Sequence, residues 1–106
     1  MADDPLDALD ALIRSRRGGD PSSSYTAQLF ADGRARIAKK VGEEAVETVI
    51  AAMATDTKAL TAEAADLVYH LLVLLADAGL SLDDVRAELA RRTGTSGLTE
   101  KASRSA

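Results

Sequence analysis

Four carboxylates stand out in this sequence because they form two pairs with the same spacing. Glu44 and Glu47 make one pair, and Glu63 and Asp66 make the other. Residues three apart lie on the same face of an α-helix, so each pair points two carboxylates in one direction. Like charges at this spacing slightly destabilise a helix, which gives a purely structural helix little reason to collect them.

The second pair lies in a segment that is apolar on almost every side. On a helix, Glu63, Asp66 and His70 fall within about 60° of one another. Leucines and valines between residues 67 and 75 cover most of the remaining circumference. A helix of this kind is normally buried. Because a buried carboxylate loses its hydration, it requires a cation, a proton or a positively charged partner.

The first pair also has a simpler interpretation. Glu43, Glu44 and Glu47 share one side of a helix with Lys40, and apolar residues occupy the opposite arc: Val41, Ala45, Val46, Val49, Ile50 and Met53. Taken alone, the three acids are therefore consistent with the solvated face of an amphipathic helix. That interpretation weakens when both pairs are considered together.

If the two helices pack as an antiparallel pair, all four paired carboxylates share one seam. Such a seam suits a hard divalent cation, since Mg²⁺ and Mn²⁺ prefer oxygen ligands. We expect Mg²⁺, with Mn²⁺ as a substitute. Zinc is disfavoured because the chain has no cysteine and a single histidine, whereas catalytic zinc sites take most of their ligands from these residue types.

Length and composition indicate one small, soluble, cytoplasmic domain. A chain of 106 residues can bury one modest core. The lack of cysteine fits a reducing compartment, and the acidic start does not resemble a signal peptide. The longest apolar run, 71–76, is far shorter than the roughly 20 residues that span a bilayer. A net charge of −4 disfavours a nucleic-acid backbone as a partner.

The pattern of apolar residues and helix breakers predicts an all-α fold of four or five helices. Pro5 suits the first turn of the first helix, Ser23 or Ser24 can cap the second, and Asp56 or Thr57 the third. The expected helices cover residues 5–17, 25–54 with an interruption that Asp32 and Gly33 can introduce, 57 to just before Gly79, and 82–92. Residues 1–92 then form one domain, and 93–106 a flexible tail.

A bundle of this size leaves the apolar surface of residues 64–76 difficult to cover. We therefore expect a homodimer in which this helix packs against its counterpart in a second copy, because isologous pairs are the commonest arrangement. The alternative is that the first and last helices of the same chain cover it.

Several segments together resemble a known family. The two acidic pairs resemble the signature of the all-α nucleoside triphosphate pyrophosphatases, the superfamily of MazG-type enzymes. The segments 24–29, 39–45, 63–75 and 79–81 are similar, in this order, to the phosphoribosyl-ATP pyrophosphohydrolase family of histidine biosynthesis. The resemblance implies Mg²⁺-dependent hydrolysis of phosphoribosyl-ATP to phosphoribosyl-AMP and pyrophosphate. It also implies a homodimer, and association with phosphoribosyl-AMP cyclohydrolase is compatible with it.

On this resemblance Glu44, Glu47, Glu63 and Asp66 are the metal ligands and catalytic acids. Glu43 either orients the attacking water or is merely solvated.

The basic residues and the histidine are less decided. Lys40 is a candidate for binding substrate phosphate, with Lys39 a weaker second, and both can equally be surface lysines. His70 either contacts substrate or supports a neighbouring ligand, or it is a hydrogen-bonded core residue.

Arg14, Arg16 and Arg17 can meet phosphates or a neighbouring subunit, and the sequence context does not decide between these roles. Tyr69 is expected in the core. Residues 24–26 resemble the family's entry to the long helix, and a helix cap with a packed aromatic ring explains them equally well.

Two other functions stay open at this stage. A house-cleaning pyrophosphohydrolase of the MazG type, acting on noncanonical or deoxynucleoside triphosphates, would share the acids and the metal. A non-catalytic dimeric helical interaction module would not need four converging acids.

Overall fold

The computed structural model describes residues 4–93, and within this range it contains five helices and no strand. The helices are α1 (Pro5–Ser15), α2 (Tyr25–Asp32), α3 (Arg34–Met53), α4 (Thr57–Asp77) and α5 (Leu82–Arg92). The all-α prediction is confirmed. The tail expected at 93–106 lies, apart from Thr93, outside the described residues.

Polar side chains cap the starts of α1, α2 and α4, and the caps of α2 and α4 are among those that the sequence predicts. The carboxylate of Asp4 accepts a hydrogen bond from the backbone N–H of Leu6 at 2.9 Å, just before Pro5. Ser24 caps α2, and Asp56 caps α4. Each cap satisfies a backbone donor that has no partner within its helix. The first helix ends two residues earlier than expected, because the backbone turns at Arg16.

Gly33 divides the long segment 25–54 into α2 and α3. Its backbone adopts φ 100° and ψ 169°, a conformation in which side chains other than that of glycine are strained. The interruption that the sequence suggested is therefore real. Arg34, the first residue of α3, donates to the carboxylate and the carbonyl of Asp77 at 2.9 and 3.0 Å, which ties this break to the end of α4.

The core lies where α3 and α4 pack on each other and on α1 and α2. A short turn around Thr55 joins α3 to α4, so the two helices run antiparallel. The fully buried side chains come from four helices: Ile13, Leu29, Ile37, Leu72, Val73 and Ala76.

The burial of α4 within the single chain is incomplete. His70, Leu72, Val73 and Ala76 are buried, but Val68 and Leu71 are 37% and 41% exposed. Part of the apolar surface of α4 is therefore uncovered in the single chain, as expected for a bundle of this size. The helices α3, α1 and α2 contact α4, and the buried residues of α4 lie on one side of it.

The apolar arc of α3 also faces outward. Val46, Val49, Ile50 and Met53 are 59–77% exposed, whereas Glu44 on the opposite side is only 7% exposed. This helix therefore turns part of its acidic side toward α4 and its apolar side toward solvent. The interpretation of Glu44 as part of a solvated face is excluded.

Among the described helices, α4 is the one that is long and apolar enough to cross a bilayer, with a mean hydropathy of 1.6 over its most apolar window. A single such helix is weak evidence for a membrane span, since the core helix of a soluble protein has the same length and composition.

Candidate active site

Carboxylates from α3 and α4 meet at the seam between these helices. Glu44 and Asp66 are equally far along the chain from Thr55, so an antiparallel pair places them opposite each other. Glu44, Glu63 and Asp66 each offer one oxygen, and these oxygens all lie within 4.8 Å of one another. Three of the four predicted ligands are thus brought to one point.

Glu44 reaches this seam because of its position on α3. The buried residues of α3 are Ile37, Glu44 and Ala51, which recur every seven residues and so share one stripe of the helix. Glu44 takes the middle position of that stripe, where an aliphatic side chain would ordinarily pack. Local packing therefore forces its carboxylate into the interior instead of leaving it in water.

Hydrogen bonds do not fully satisfy two acids of this cluster. Oε2 of Glu44 and Oε2 of Glu63 are buried without a hydrogen-bond partner among the described residues. Burial raises the pKa of Glu44, and Glu47 and Asp66 raise it further. Burial also raises the pKa of Glu63, followed by the effects of Glu47, Glu44 and Asp66. A bound cation would offset the cost of burying these negative charges.

This donor set fits a hard divalent cation. All the donors are carboxylate oxygens, and their spacing allows one ion to contact three side chains. Two of these side chains also have a buried oxygen without a hydrogen-bond partner among the described residues. The predicted cation site therefore has the right chemistry in the folded chain.

The other two predicted acids lie at the edge of this cluster. Glu47 is exposed, and its interactions with Glu44 and Glu63 help raise the pKa of both. It therefore adjoins the cluster without belonging to the group of three. The Glu43 side chain is 48% exposed and pairs with Lys40 at 3.6 Å, which places it on the outer surface of α3.

Lys40 lies between the cluster and the surface. Its Nζ is 3.7 Å from Oε1 of Glu44 and 3.6 Å from Oε1 of Glu43, and its side chain is 26% exposed. Partial burial lowers the pKa of Lys40, but Tyr25, Glu43 and Glu44 outweigh this effect and raise it. Lys39 is exposed, and none of its described contacts reaches the acids.

His70 is buried and uses both ring nitrogens. Nδ1 lies 2.8 Å from the backbone oxygen of Asp66, and Nε2 lies 3.1 Å from the hydroxyl of Tyr25. The Tyr69 hydroxyl bonds to that of Thr26. The sequence pointed to no contact between Tyr25 and His70, because the two residues lie far apart in the chain and a helix cap with a packed aromatic ring already explained the segment that contains Tyr25.

The arginines before the glycine loop lie elsewhere. Arg14 pairs with the buried Asp10 at 3.2 Å, and Arg17 reaches the backbone oxygen of Asp77 at 3.5 Å. The first contact lies within α1, and the second ties the loop after α1 to the end of α4. The structure does not bring either residue to the acidic cluster.

A shallow depression of about 640 Å³ opens on α3 beside the cluster, lined by Lys40, Gly42, Glu43, Val46 and Glu47. Its size is in the range of small-molecule sites. An all-α bundle whose two longest helices converge carboxylates beside an open surface has the architecture of the all-α pyrophosphatases.

Comparison with known proteins narrows this class to one family. The family model described as phosphoribosyl-ATP pyrophosphohydrolase matches residues 6–93. A relative from Rhizorhabdus wittichii named phosphoribosyl-ATP pyrophosphatase is 64% identical over 99 residues, covering 93% of each chain. A relative of the same name from Zymomonas mobilis is 55% identical over 104 residues, covering 98% of this chain and 97% of its own. The chain belongs to the phosphoribosyl-ATP pyrophosphohydrolase family.

Proposed function

We propose that this chain hydrolyses phosphoribosyl-ATP to phosphoribosyl-AMP and pyrophosphate, the second step of histidine biosynthesis, with a bound divalent cation. Family membership supports the reaction. The observation that carries the cation is the group of three acids whose oxygens lie within 4.8 Å of one another, two of them with buried orphaned oxygens. The enzyme is then a hydrolase of a phosphoric anhydride.

The ligands in this proposal are Glu44, Glu63 and Asp66, with Glu47 joining from the rim. Mg²⁺ is the expected ion and Mn²⁺ its substitute, because all the donors are oxygens. When bound, the ion supplies charge neutralisation at the phosphate oxygens and a lowered pKa for the attacking water.

The protein groups around the ion bind and orient the substrate. Lys40, which already faces Glu44, binds a phosphate oxygen as a point charge. Glu43 lies on the solvent side of Lys40 and holds its ammonium group in place. The exposed Lys39 adds positive charge near the entrance and contributes less.

The proposed assembly is a homodimer that buries the exposed apolar face of α3, defined by Val46, Val49, Ile50 and Met53. Four large apolar side chains with more than half of their surface in water are costly in a single chain. Part of α4 joins this interface through Val68 and Leu71, which are also exposed.

The proposed location is the cytoplasm, in accord with the lack of cysteine. Phosphoribosyl-AMP, the product, requires a cyclohydrolase as its next enzyme, and we include association with that enzyme in the proposal.

Pyrophosphate release tests the function. The purified chain is incubated with phosphoribosyl-ATP and, separately, with ordinary and deoxynucleoside triphosphates, each with Mg²⁺ and with a chelator. We expect metal-dependent turnover of phosphoribosyl-ATP alone. Preference for a free triphosphate would assign the house-cleaning activity, and no turnover of any substrate would leave a non-catalytic interaction module.

A further inference from the structure

The hydrogen bonds of His70 determine where its proton lies. A backbone carbonyl oxygen can only accept a hydrogen bond, so the 2.8 Å contact with Asp66 O places a proton on Nδ1. In the neutral imidazole, Nε2 then carries a lone pair and accepts from the hydroxyl of Tyr25 at 3.1 Å. The hydroxyl proton of Tyr25 is therefore committed to His70.

This arrangement limits what the oxygen of Tyr25 can do. With its proton donated inward, the phenolic oxygen has only lone pairs to offer to a ligand. It can accept a hydrogen bond from a hydroxyl or an amine, but it cannot donate one to a phosphate oxygen. The preference of the Tyr25 oxygen for hydrogen-bond donors therefore depends on its hydrogen bond with His70.

Tyr25 lies at the boundary between the acidic cluster and solvent. Its ring is 47% exposed, although it stacks on Tyr69 at 6.2 Å and meets the edge of His70 at 5.9 Å. Its partner His70 contacts the backbone oxygen of Asp66, one of the predicted metal ligands. Tyr25 is thus held in a fixed orientation beside the residues expected to bind phosphate and metal.

We propose that Tyr25 is a substrate-binding residue whose phenolic oxygen accepts a hydrogen bond from a sugar hydroxyl of the substrate, and that His70 is its positioning residue. The proposal rests on the proposed function, because it names a contact with the same substrate. The substrate combines a phosphate chain with sugar hydroxyls, and the acceptor-only oxygen selects the hydroxyls. His70 itself is 5% exposed, so it acts through Tyr25 and not by direct contact.

Tyr25→Phe removes this oxygen and keeps the stacked ring. We expect kcat/KM for phosphoribosyl-ATP to fall about tenfold, mostly through KM, as loss of one hydrogen bond predicts. Tyr69→Phe is the matched control, since it removes the same atom from the neighbouring ring, and it should change kcat/KM by less than about twofold. Equal kinetics for the Tyr25 variant and the wild type would overturn the proposal.

Product inhibition identifies the part of the substrate that Tyr25 contacts. In Tyr25→Phe the inhibition constant of phosphoribosyl-AMP, which retains the sugars, should rise about as much as KM. The inhibition constant of pyrophosphate, which has no sugar, should stay the same. A rise for pyrophosphate instead would show a phosphate contact and contradict the acceptor-only role.

Two substitutions of His70 separate positioning from simple packing. The side-chain amide of Gln reaches the place of Nε2 and can accept from Tyr25, whereas that of Asn reaches only the place of Nδ1. His70→Gln should retain most of the wild-type KM, while His70→Asn should raise KM as Tyr25→Phe does. The double variant Tyr25→Phe/His70→Asn should be no worse than Tyr25→Phe. Additive losses would assign His70 a structural role alone.

The wild-type assay separates this proposal from the proposed function. If the wild type shows no metal-dependent turnover of phosphoribosyl-ATP, the function itself fails. If the wild type is active and Tyr25→Phe matches it, the reaction stands and the Tyr25 contact fails.

Discussion

The ammonium group of Lys40 lies 3.7 Å from Oε1 of Glu44, one helical turn along α3, and thus pairs a partly exposed cation with an acid buried at the helix seam. The other carboxylate oxygen of Glu44 has no hydrogen-bond partner among the described residues. Lys40 therefore provides a charged partner for only one of the two carboxylate oxygens of Glu44. The oxygen without a partner is the strongest structural argument for a metal ion at this seam.

Replacement of Glu44 by Gln is expected to separate activity from stability. Loss of a metal-facing oxygen should lower kcat/KM by at least about 100-fold, as expected for a charge that acts in the transition state. The melting temperature of the metal-free protein should rise, because burial and neighbouring acids disfavour the charge that the variant lacks.

Thermal melts with and without Mg²⁺, together with pyrophosphate release, check this prediction. Asp32→Asn is a matched control, since it removes a charge from a side chain that is 42% exposed, in α2, and it should change neither property. An unfolded Glu44→Gln variant would instead assign this acid a structural role.

The metal-free protein should lose stability as the pH rises above about 4.5. The pKa values of Glu44 and Glu63 are raised in the folded state above their usual 4.5. Within that window the folded chain binds more protons than the unfolded chain, so the free energy of unfolding falls with rising pH.

Glu88 has the opposite effect at lower pH. Hydrogen bonds from Arg91 and Arg92 lower its pKa to about 2. Its contribution to stability is present above pH 4.5 and is lost as the pH falls toward 2.

Melting curves from pH 3 to 8 in chelator measure both effects. Glu63→Gln should flatten the upper part of the profile, and an unchanged slope in this variant would contradict the assignment.

Gly42→Ala should stabilise the isolated chain by about 0.5–1 kcal/mol, the usual cost of glycine within a helix. A Cβ at this position would meet no atom within 4 Å, so no clash opposes the gain. Ala38→Gly, one turn earlier and also exposed, is the reverse control and should destabilise by a similar amount. Denaturant melts measure both. Loss of stability in Gly42→Ala would indicate that a second chain approaches this position closely.

Ile50→Lys should convert the proposed dimer into a monomer without unfolding it. Ile50 is 62% exposed in the single chain, so a lysine disturbs an interface and not the core. Leu12→Lys on α1, where the native side chain is 49% exposed, is the control and should leave the oligomeric state unchanged. Sedimentation velocity and circular dichroism check the two variants. A wild-type chain that sediments as a monomer would exclude the proposed interface.

The sequence alone determined the helices and the spacing of the acids. Ser24 and Asp56 act as caps, and Gly33 and Gly79 take the positive φ that ends or breaks a helix. These features depend on contacts within a few residues, so local sequence is sufficient to predict them. The same periodicity placed each pair of carboxylates on one helix face.

Only the tertiary structure decided which face of each helix is buried. Periodicity shows which residues of α3 share a side, but the side that packs on α4 depends on how the two surfaces fit together. That fit buried Glu44 between Ile37 and Ala51 and left Val46 and Ile50 exposed. It also set Glu47 at the rim of the cluster and not within it.

The contact between Tyr25 and His70 also depends on the tertiary structure. It joins the first turn of α2 to the middle of α4, and no pattern within either helix encodes the distance between them. Local propensities and side-chain chemistry gave the helices and the candidate acids. The partner of each buried polar group depends on how distant segments pack, and only the folded chain fixes that.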